Sequence, residues 1–264
     1  MAYKVSVTGI DGCGKSTAIS KVVDELASQY LIAKIGRPTY ISGPEVSKSR
    51  EYLFTGLNKG IEGVNTFASN LENRLGVASV NIFNVFLWSL INKRVFSKYN
   101  PEITIYGRDR IIDSAVYSTC YFPFTRKWSS DLRLKIAQAI SRAKFSDTII
   151  YMDVDPKVAV ERIEKRIEEE KKSEINRKKG WQMHENLRDL TNLKHYFAEA
   201  LDYLYGHSNI DLHIIKVNNK SLQEVANEMA QTIFDKIAKN KTRSIQYLTN
   251  LGSNNIQKIS KSFK

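Results

Sequence analysis

The chain alternates between short apolar runs and longer stripes of apolar residues at helical spacing. Val5 and Val7 sit in a run that starts near Tyr3, and Ile19, Val22, Val23 and Leu26 mark one face of a helix predicted over Ala18 to Tyr30. Leu31 to Ile35, Ile103 to Tyr106, Thr148 to Met152 and Asp211 to Val217 read as further strands. Between them lie a long helical pattern from Arg74 to about Ser97 and a helix running through Tyr117 toward Tyr121, stopped by Pro123. Amphipathic stretches cover Ser130 to Lys144, Trp181 to Tyr205 and Ser221 to Ala238. Gly43-Pro44, Gly56, Gly60 and Gly63 punctuate residues 41–73, which predicts short helices separated by turns. Strands alternating with helices predict a three-layer α/β fold around a central, mostly parallel, five-stranded sheet.

The junction of the first strand and first helix carries the strongest chemical signal. Gly9-Ile10-Asp11-Gly12-Cys13-Gly14-Lys15-Ser16-Thr17 fits G-x-x-x-x-G-K-[ST], in the strand–loop–helix order that this phosphate-binding loop requires. Its glycines let the loop curl so that successive backbone N–H groups, that of Cys13 included, point at a polyphosphate, while the helix adds its positive end. Lys15 would reach the β- and γ-phosphates of ATP, Ser16 would ligate the bridging Mg²⁺, and Thr17 would add a phosphate contact. A glycine-rich turn that merely caps a helix explains neither the spacing nor the flanks.

Further candidates follow other elements. Arg37 stands just past the second strand, where open α/β sheets bind ligands, but a solvated arginine fits the sequence equally. Tyr106 leads into Gly107-Arg108-Asp109-Arg110. A carboxylate at Asp109 can hold Mg²⁺ and an arginine beside it can neutralise crowded phosphoryl oxygens, or the tetrapeptide can form a surface Arg–Asp pair of little energetic worth. Asn81, Asn84, Trp88 and Asn92 share a stripe of the long helix. Amides there can read a nucleobase edge on which an indole stacks, or the stripe can line a polar interhelical face. From Glu161 to Gly180 the chain is densely charged and its apolar positions thin out after Ile167. A lid over 162–180 that brings arginines onto phosphates fits this pattern, and so does a solvated helix laced with i,i+4 pairs. Asp155 before Pro156 can cap that helix, and Ser221 with Glu224 has capping-box spacing.

Composition narrows the setting. A chain of 264 residues suits one large α/β domain. The net charge of +12 favours anionic partners, yet six of those charges lie between Lys239 and Lys264, a stretch with no acidic residue. The expected organisation is a folded body over 1–238 and a basic tail over 239–264 that could meet polyanions. Two cysteines, Cys13 and Cys120, exclude a disulfide scaffold and suit a reducing cytoplasm. Val80 to Ile91 is too short to span a bilayer, and no secretory pattern precedes Tyr3. His184, His195, His207 and His213 show no metal-ligand spacing.

Taken together, these residues resemble the thymidylate kinase family of P-loop nucleoside monophosphate kinases, over about Tyr3 to Ala238. Gly9 to Thr17 looks like the family's phosphate loop, and the resemblance implies that Asp11 contacts the acceptor's 3′-hydroxyl. Asp109-Arg110, followed by Asp113-Ser114, is similar to the family's Asp-Arg-aromatic motif and the start of the next helix. Arg110 is then implied to hold the acceptor phosphate, with Ser114 on the acceptor side and Arg37 a second phosphate candidate. Tyr151 to Pro156 and onward to Arg166 resembles the strand and helix that lead into the family's lid, and Val217-Asn218 with Ser221 to Ala238 resembles its closing strand and helix. Gly12 stands where some members carry an arginine. The resemblance therefore places the transition-state arginine in the lid, with Arg162, Arg166 and Arg177 as candidates, and it is compatible with a homodimer. There are departures. Ile111 replaces the aromatic, Ser118 and Thr119 stand at a tyrosine–glutamine pair, and the long helix offers the Asn81, Asn84 and Trp88 stripe in place of an arginine and histidine.

The resulting expectation is transfer of the γ-phosphoryl group of Mg-ATP to a nucleoside monophosphate, dTMP first among candidates. Two rivals stay open: the same machinery acting on another nucleotide or a nucleoside, and a P-loop regulatory or nucleic-acid-binding ATPase that uses its basic tail.

Overall fold

The computed structural model describes residues 2–36, 38–46, 49–56, 59, 60, 63, 74–172, 185–207 and 210–239, some helical residues by backbone alone. Five strands run parallel: β1 (Tyr3–Thr8), β2 (Ile32–Ile35), β5 (Ile103–Tyr106), β6 (Thr148–Asp153) and β7 (Asp211–Lys216). These are the five read from the sequence. The sheet nevertheless has seven strands, in the order β4-β3-β2-β5-β1-β6-β7. The two additions, β3 (Thr39–Ser42) and β4 (Glu51–Leu53), pair antiparallel on the edge beyond β2. They correct the expectation of short helices only over residues 41–53, since helical turns do follow at residues 55, 56, 59, 60 and 63. Gly43-Pro44 marks the link between two strands, each too short to show an apolar period.

The central strands are apolar because both faces are covered. β2 and β5 are buried along their whole length, as parallel strands under helices must be. Helix α1 (Lys15–Leu26) follows the phosphate loop and buries Ala18, Ile19, Val22, Val23 and Leu26. It starts three residues earlier than its apolar stripe suggests, at Lys15 itself. Next come α2 (Arg74–Tyr99), α3 (Ile112–Tyr121), a 3₁₀ turn (Pro123–Lys127), α4 (Ser130–Ser141), α5 (Pro156–Lys172), α6 (Leu187–His207) and a last helix, α7 (222–239). A small second apolar cluster joins Ile91 and Val95 of α2 to Ala33, Ile35 and Tyr106 on the sheet. Both predicted caps form. Asp155 Oδ1 accepts from the Lys157 N–H at 2.8 Å, and Ser221 and Glu224 exchange hydrogen bonds reciprocally.

One packing relationship positions the site. Phe197 of α6 is fully buried and lies 5.6 Å, ring to ring, from Tyr151 of β6 and 6.2 Å from Tyr117 of α3. Truncating such a ring costs about 3–5 kcal/mol, and here it would also loosen Tyr117, a site residue. Among the described residues no helix is long and apolar enough to cross a membrane.

Candidate active site

The loop after β1 takes the shape its glycines allow. Gly12 has φ 83°, and a Cβ there would lie 2.5 Å from the Ala159 carbonyl oxygen of α5, so only glycine lets the helix pack this close. Lys15 is buried, and its ammonium donates to the Gly9 and Ile10 carbonyls at 2.7 and 2.9 Å. Cys13 lies buried behind the loop, its sulfur 3.4 Å from the same ammonium.

The carboxyl end of β5, next to β1, delivers the second set of groups. Asp109 is buried and its Oδ1 accepts from the Ile111 and Ile112 amides at 2.9 and 2.8 Å, which fixes the first turn of α3. Its Oδ2 has no protein partner among the described residues. Arginines flank it on both sides. Arg108 donates to Asp11 Oδ1 at 2.7 Å and lies over the Tyr117 ring at 4.9 Å. Tyr117 completes the arrangement by donating to Asp11 Oδ2 at 3.0 Å. Arg110 lies over the Tyr106 ring at 5.3 Å and has no hydrogen-bond partner among the described residues.

The protonation of these groups follows from burial and charge. Burial works against the Arg108 charge, but Asp11 and Tyr117 outweigh it and hold the guanidinium protonated well above its ordinary range. Burial, followed by the Asp11 charge, pushes the Tyr117 phenol well up, which keeps it a donor. Asp113 accepts from the Thr8 hydroxyl at 2.7 Å and the Asp109 amide at 2.8 Å, while its Oδ1 is buried without a partner. Burial raises this carboxyl to about 6 against the pull of Arg108 and Lys15.

One cavity of about 880 Å³ gathers most of the groups expected from the sequence. Asp11, Gly12, Gly14, Lys15, Ser16 and Thr17 line it from the phosphate loop, Asp109, Arg110 and Ser114 from β5 and α3, and Arg162 and Arg166 from α5. Both α5 arginines are engaged: Arg162 donates to the Val217 carbonyl at 3.1 Å, and Arg166 pairs with Glu185 at 3.2 Å. A second arm, absent from the sequence reading, is aromatic and apolar, formed by Tyr121, Phe122, Phe124, Trp128 and Ile136 around α3, the 3₁₀ turn and α4. Arg37, Arg177, the side chains of Asn81, Asn84 and Trp88, and the tail beyond residue 239 lie outside the described residues.

Sequence reasoning missed Arg108, Tyr117, Asp113 and Lys34. Lys34 is the one charged residue within β2, yet it is buried, donates to the Pro38 carbonyl at 2.5 Å and lines the cavity. A lysine inside an otherwise apolar strand was the available signal.

No protein-family model matches the sequence, and neither does any curated protein. Solved structures do. A deoxyadenosine kinase from M. mycoides, with the products dCMP and a flexible dCDP bound, matches with a TM-score of 0.58 at 14% identity, covering 88% of this chain and 99% of that chain. The M. mycoides deoxyadenosine kinase with bound dCTP matches with a TM-score of 0.57 at 14% identity over 88% and 99%. The fold is that of the P-loop kinases. At this identity the likeness is one of fold, and the acceptor is a separate question.

Proposed function

We propose that this chain transfers the γ-phosphoryl group of Mg-ATP to a nucleoside monophosphate, with dTMP the first acceptor to test. The observation that carries the reading is that the phosphate loop, a pair of arginines at the end of β5 and an aromatic arm open on one cavity. The loop and the amino end of α1 suit the donor's phosphates, with Lys15 on the β- and γ-groups. In this reading Arg110 takes the acceptor phosphate, Asp11 and Ser114 serve the acceptor side, and Arg162 and Arg166 approach the phosphates from α5; all five line the same cavity. The aromatic arm suits a planar base.

The charge balance favours an anionic acceptor. Among the described residues, Lys15, Lys34, Arg108, Arg110, Arg133, Arg162 and Arg166 line the cavity against Asp11, Asp109, Asp113 and Glu185, seven cations to four carboxylates. An acceptor phosphate is already largely dianionic at neutral pH, its second pKa being about 6, so no strong base is required. Alignment and charge neutralisation then supply the catalysis. For Mg²⁺, Ser16 and Asp109 both line the cavity, the Asp109 Oδ2 having no partner among the described residues, and so small a donor set suits an ion that keeps waters and substrate phosphates as its other ligands. When bound, the ion would neutralise charge between the donor's phosphates.

A nucleoside acceptor is the second reading, favoured by the deoxyadenosine kinases that share the fold. The test is ADP formation by the purified full chain with Mg-ATP, first alone and then with dTMP, dUMP, UMP, CMP, dCMP, AMP, GMP, thymidine and deoxyadenosine in turn. Stimulation by a monophosphate supports the proposal. Stimulation by nucleosides alone replaces it with the second reading, and acceptor-independent hydrolysis rejects both.

A further inference from the structure

The arginines expected to meet the phosphoryl group from α5 both have protein partners, Arg162 on a backbone carbonyl and Arg166 on a carboxylate. Arg108 is placed differently. Its hydrogen bond goes to Asp11, which belongs to the phosphate loop and stands four residues before Lys15. The Tyr117 ring lies against its guanidinium, and the Tyr117 hydroxyl braces the far oxygen of the same carboxylate. An ion pair, a ring and a brace therefore fix the plane of the guanidinium. Although Arg108 is recessed in the cavity, 46% of its side chain stays accessible, and its other N–H groups have no partner among the described residues. A guanidinium has five donors, and the contact with Asp11 uses one.

We propose that Arg108 is the arginine that stabilises the phosphoryl group in flight, donating to its peripheral oxygens while Lys15 holds the donor. This rests on the kinase reading above. In the step, the bond from the γ-phosphorus to the β–γ bridging oxygen breaks, its electron pair leaves on ADP, and an oxygen of the acceptor phosphate bonds to phosphorus. No proton moves, because that oxygen is already ionised. Charge crowds between two phosphate groups as they approach, and a planar cation with free in-plane donors relieves it. Because Asp11 is its anchor, the cation is positioned by the phosphate loop itself, at a short fixed chain distance from Lys15.

The test compares full-length Arg108→Lys, Arg108→Ala, Arg162→Gln and Arg166→Gln with the wild type, using Mg-ATP and whichever acceptor stimulates the wild type most. Both Arg108 variants should lose kcat by at least about 100-fold, with KM for ATP and acceptor within about threefold, since the contact is made in the transition state. Added guanidinium ion should partly restore Arg108→Ala, and each α5 variant should lose less kcat. Arg108→Lys keeps a cation opposite Asp11, so a lysine variant with a wild-type melting curve separates lost geometry from lost fold. A kcat within about threefold of wild type in both Arg108 variants, or a loss confined to acceptor KM, overturns the assignment and leaves the kinase reading standing. A wild-type chain that transfers to no acceptor overturns the kinase reading and the assignment with it.

Discussion

Arg108 and Asp11, 97 residues apart in sequence, are joined by a 2.7 Å ion pair that ties the loop after β5 to the phosphate loop. Tyr117 donates to the second oxygen of the same carboxylate, and its ring rests edge-on against Phe197 of the core. The order of the Asp11–Arg108 pair is thus inherited from the packing of α3 on α6. Neither partner is held by its immediate neighbours alone.

Removing the carboxylate should therefore damage acceptor handling more than donor binding. In Asp11→Ala, Arg108 loses its counter-charge and the Tyr117 phenol its acceptor, while the backbone amides and Lys15 that suit ATP remain. We expect kcat/KM for the acceptor to fall by about 100-fold or more, with ATP affinity within about threefold. Titration calorimetry with ATP alongside steady-state kinetics checks this. Equal losses for both substrates would argue that Asp11 shapes the loop as a whole.

Lys15 invites a different expectation, because its buried ammonium hydrogen-bonds two carbonyls and a sulfur and, among the described residues, no carboxylate. A buried charge without a carboxylate partner contributes little to stability. Lys15→Ala should lower turnover by roughly three orders of magnitude, the scale of a phosphate-clamp cation. Its melting temperature should stay within about 3 °C of wild type, a shift of roughly 1 kcal/mol. Substantial retained turnover would show that the loop holds something other than the transferred phosphate.

How much of this was legible beforehand depends on the range of the signal. Gly9 to Thr17 was readable because the phosphate loop is local: spacing, flanking strand and following helix all lie within one stretch of sequence. The caps at Asp155 and Ser221 were readable for the same reason. β3 and β4 were not, being short strands at one end of the sheet, where β2 sets the pairing of β3 and β3 that of β4, rather than their own pattern. Arg108 was hidden because its meaning comes from Asp11 and Tyr117, distant in sequence, whereas the adjacent Asp109-Arg110 carried the recognisable motif. Asp113 read as the start of a helix, and only its contact with Thr8 on β1 shows it to be a buried polar hub.

Asp113 makes stability depend on pH in a calculable direction. Burial raises its carboxyl from 3.8 to about 6 in the folded chain. A raised carboxyl favours the folded state while protonated, so its contribution is full below pH 4 and is lost as pH rises through 6. That loss amounts to about 2–3 kcal/mol. Asparagine cannot ionise, and its carbonyl can accept from Thr8 and the Asp109 amide as the carboxylate does. Asp113→Asn should therefore be more stable than wild type at pH 8, with the difference shrinking toward zero near pH 4. Thermal melts of the nucleotide-free and metal-free proteins across this range provide the check. A variant less stable than wild type at pH 8 would mean that ionised Asp113 is a net asset to the fold.

Gly12 tests whether α5 is tied to the phosphate loop. Its φ of 83° already penalises any side chain, and an added Cβ would sit 2.5 Å from the Ala159 carbonyl, in backbone that cannot swing aside as a side chain would. Gly14 has a similar φ of 91° but nothing within 4 Å of its Cβ position. Replacing each by alanine thus separates two costs. Gly14→Ala should lose only the left-handed penalty, about 1–2 kcal/mol. Gly12→Ala should lose that and more, because either the loop or the first turns of α5 must move, and α5 carries Arg162 and Arg166. In nucleotide-free melts the Gly12 variant should fall several degrees below the Gly14 variant. If the two melt together, the contact between loop and helix is slack enough to yield, and α5 can reposition without disturbing the phosphate loop.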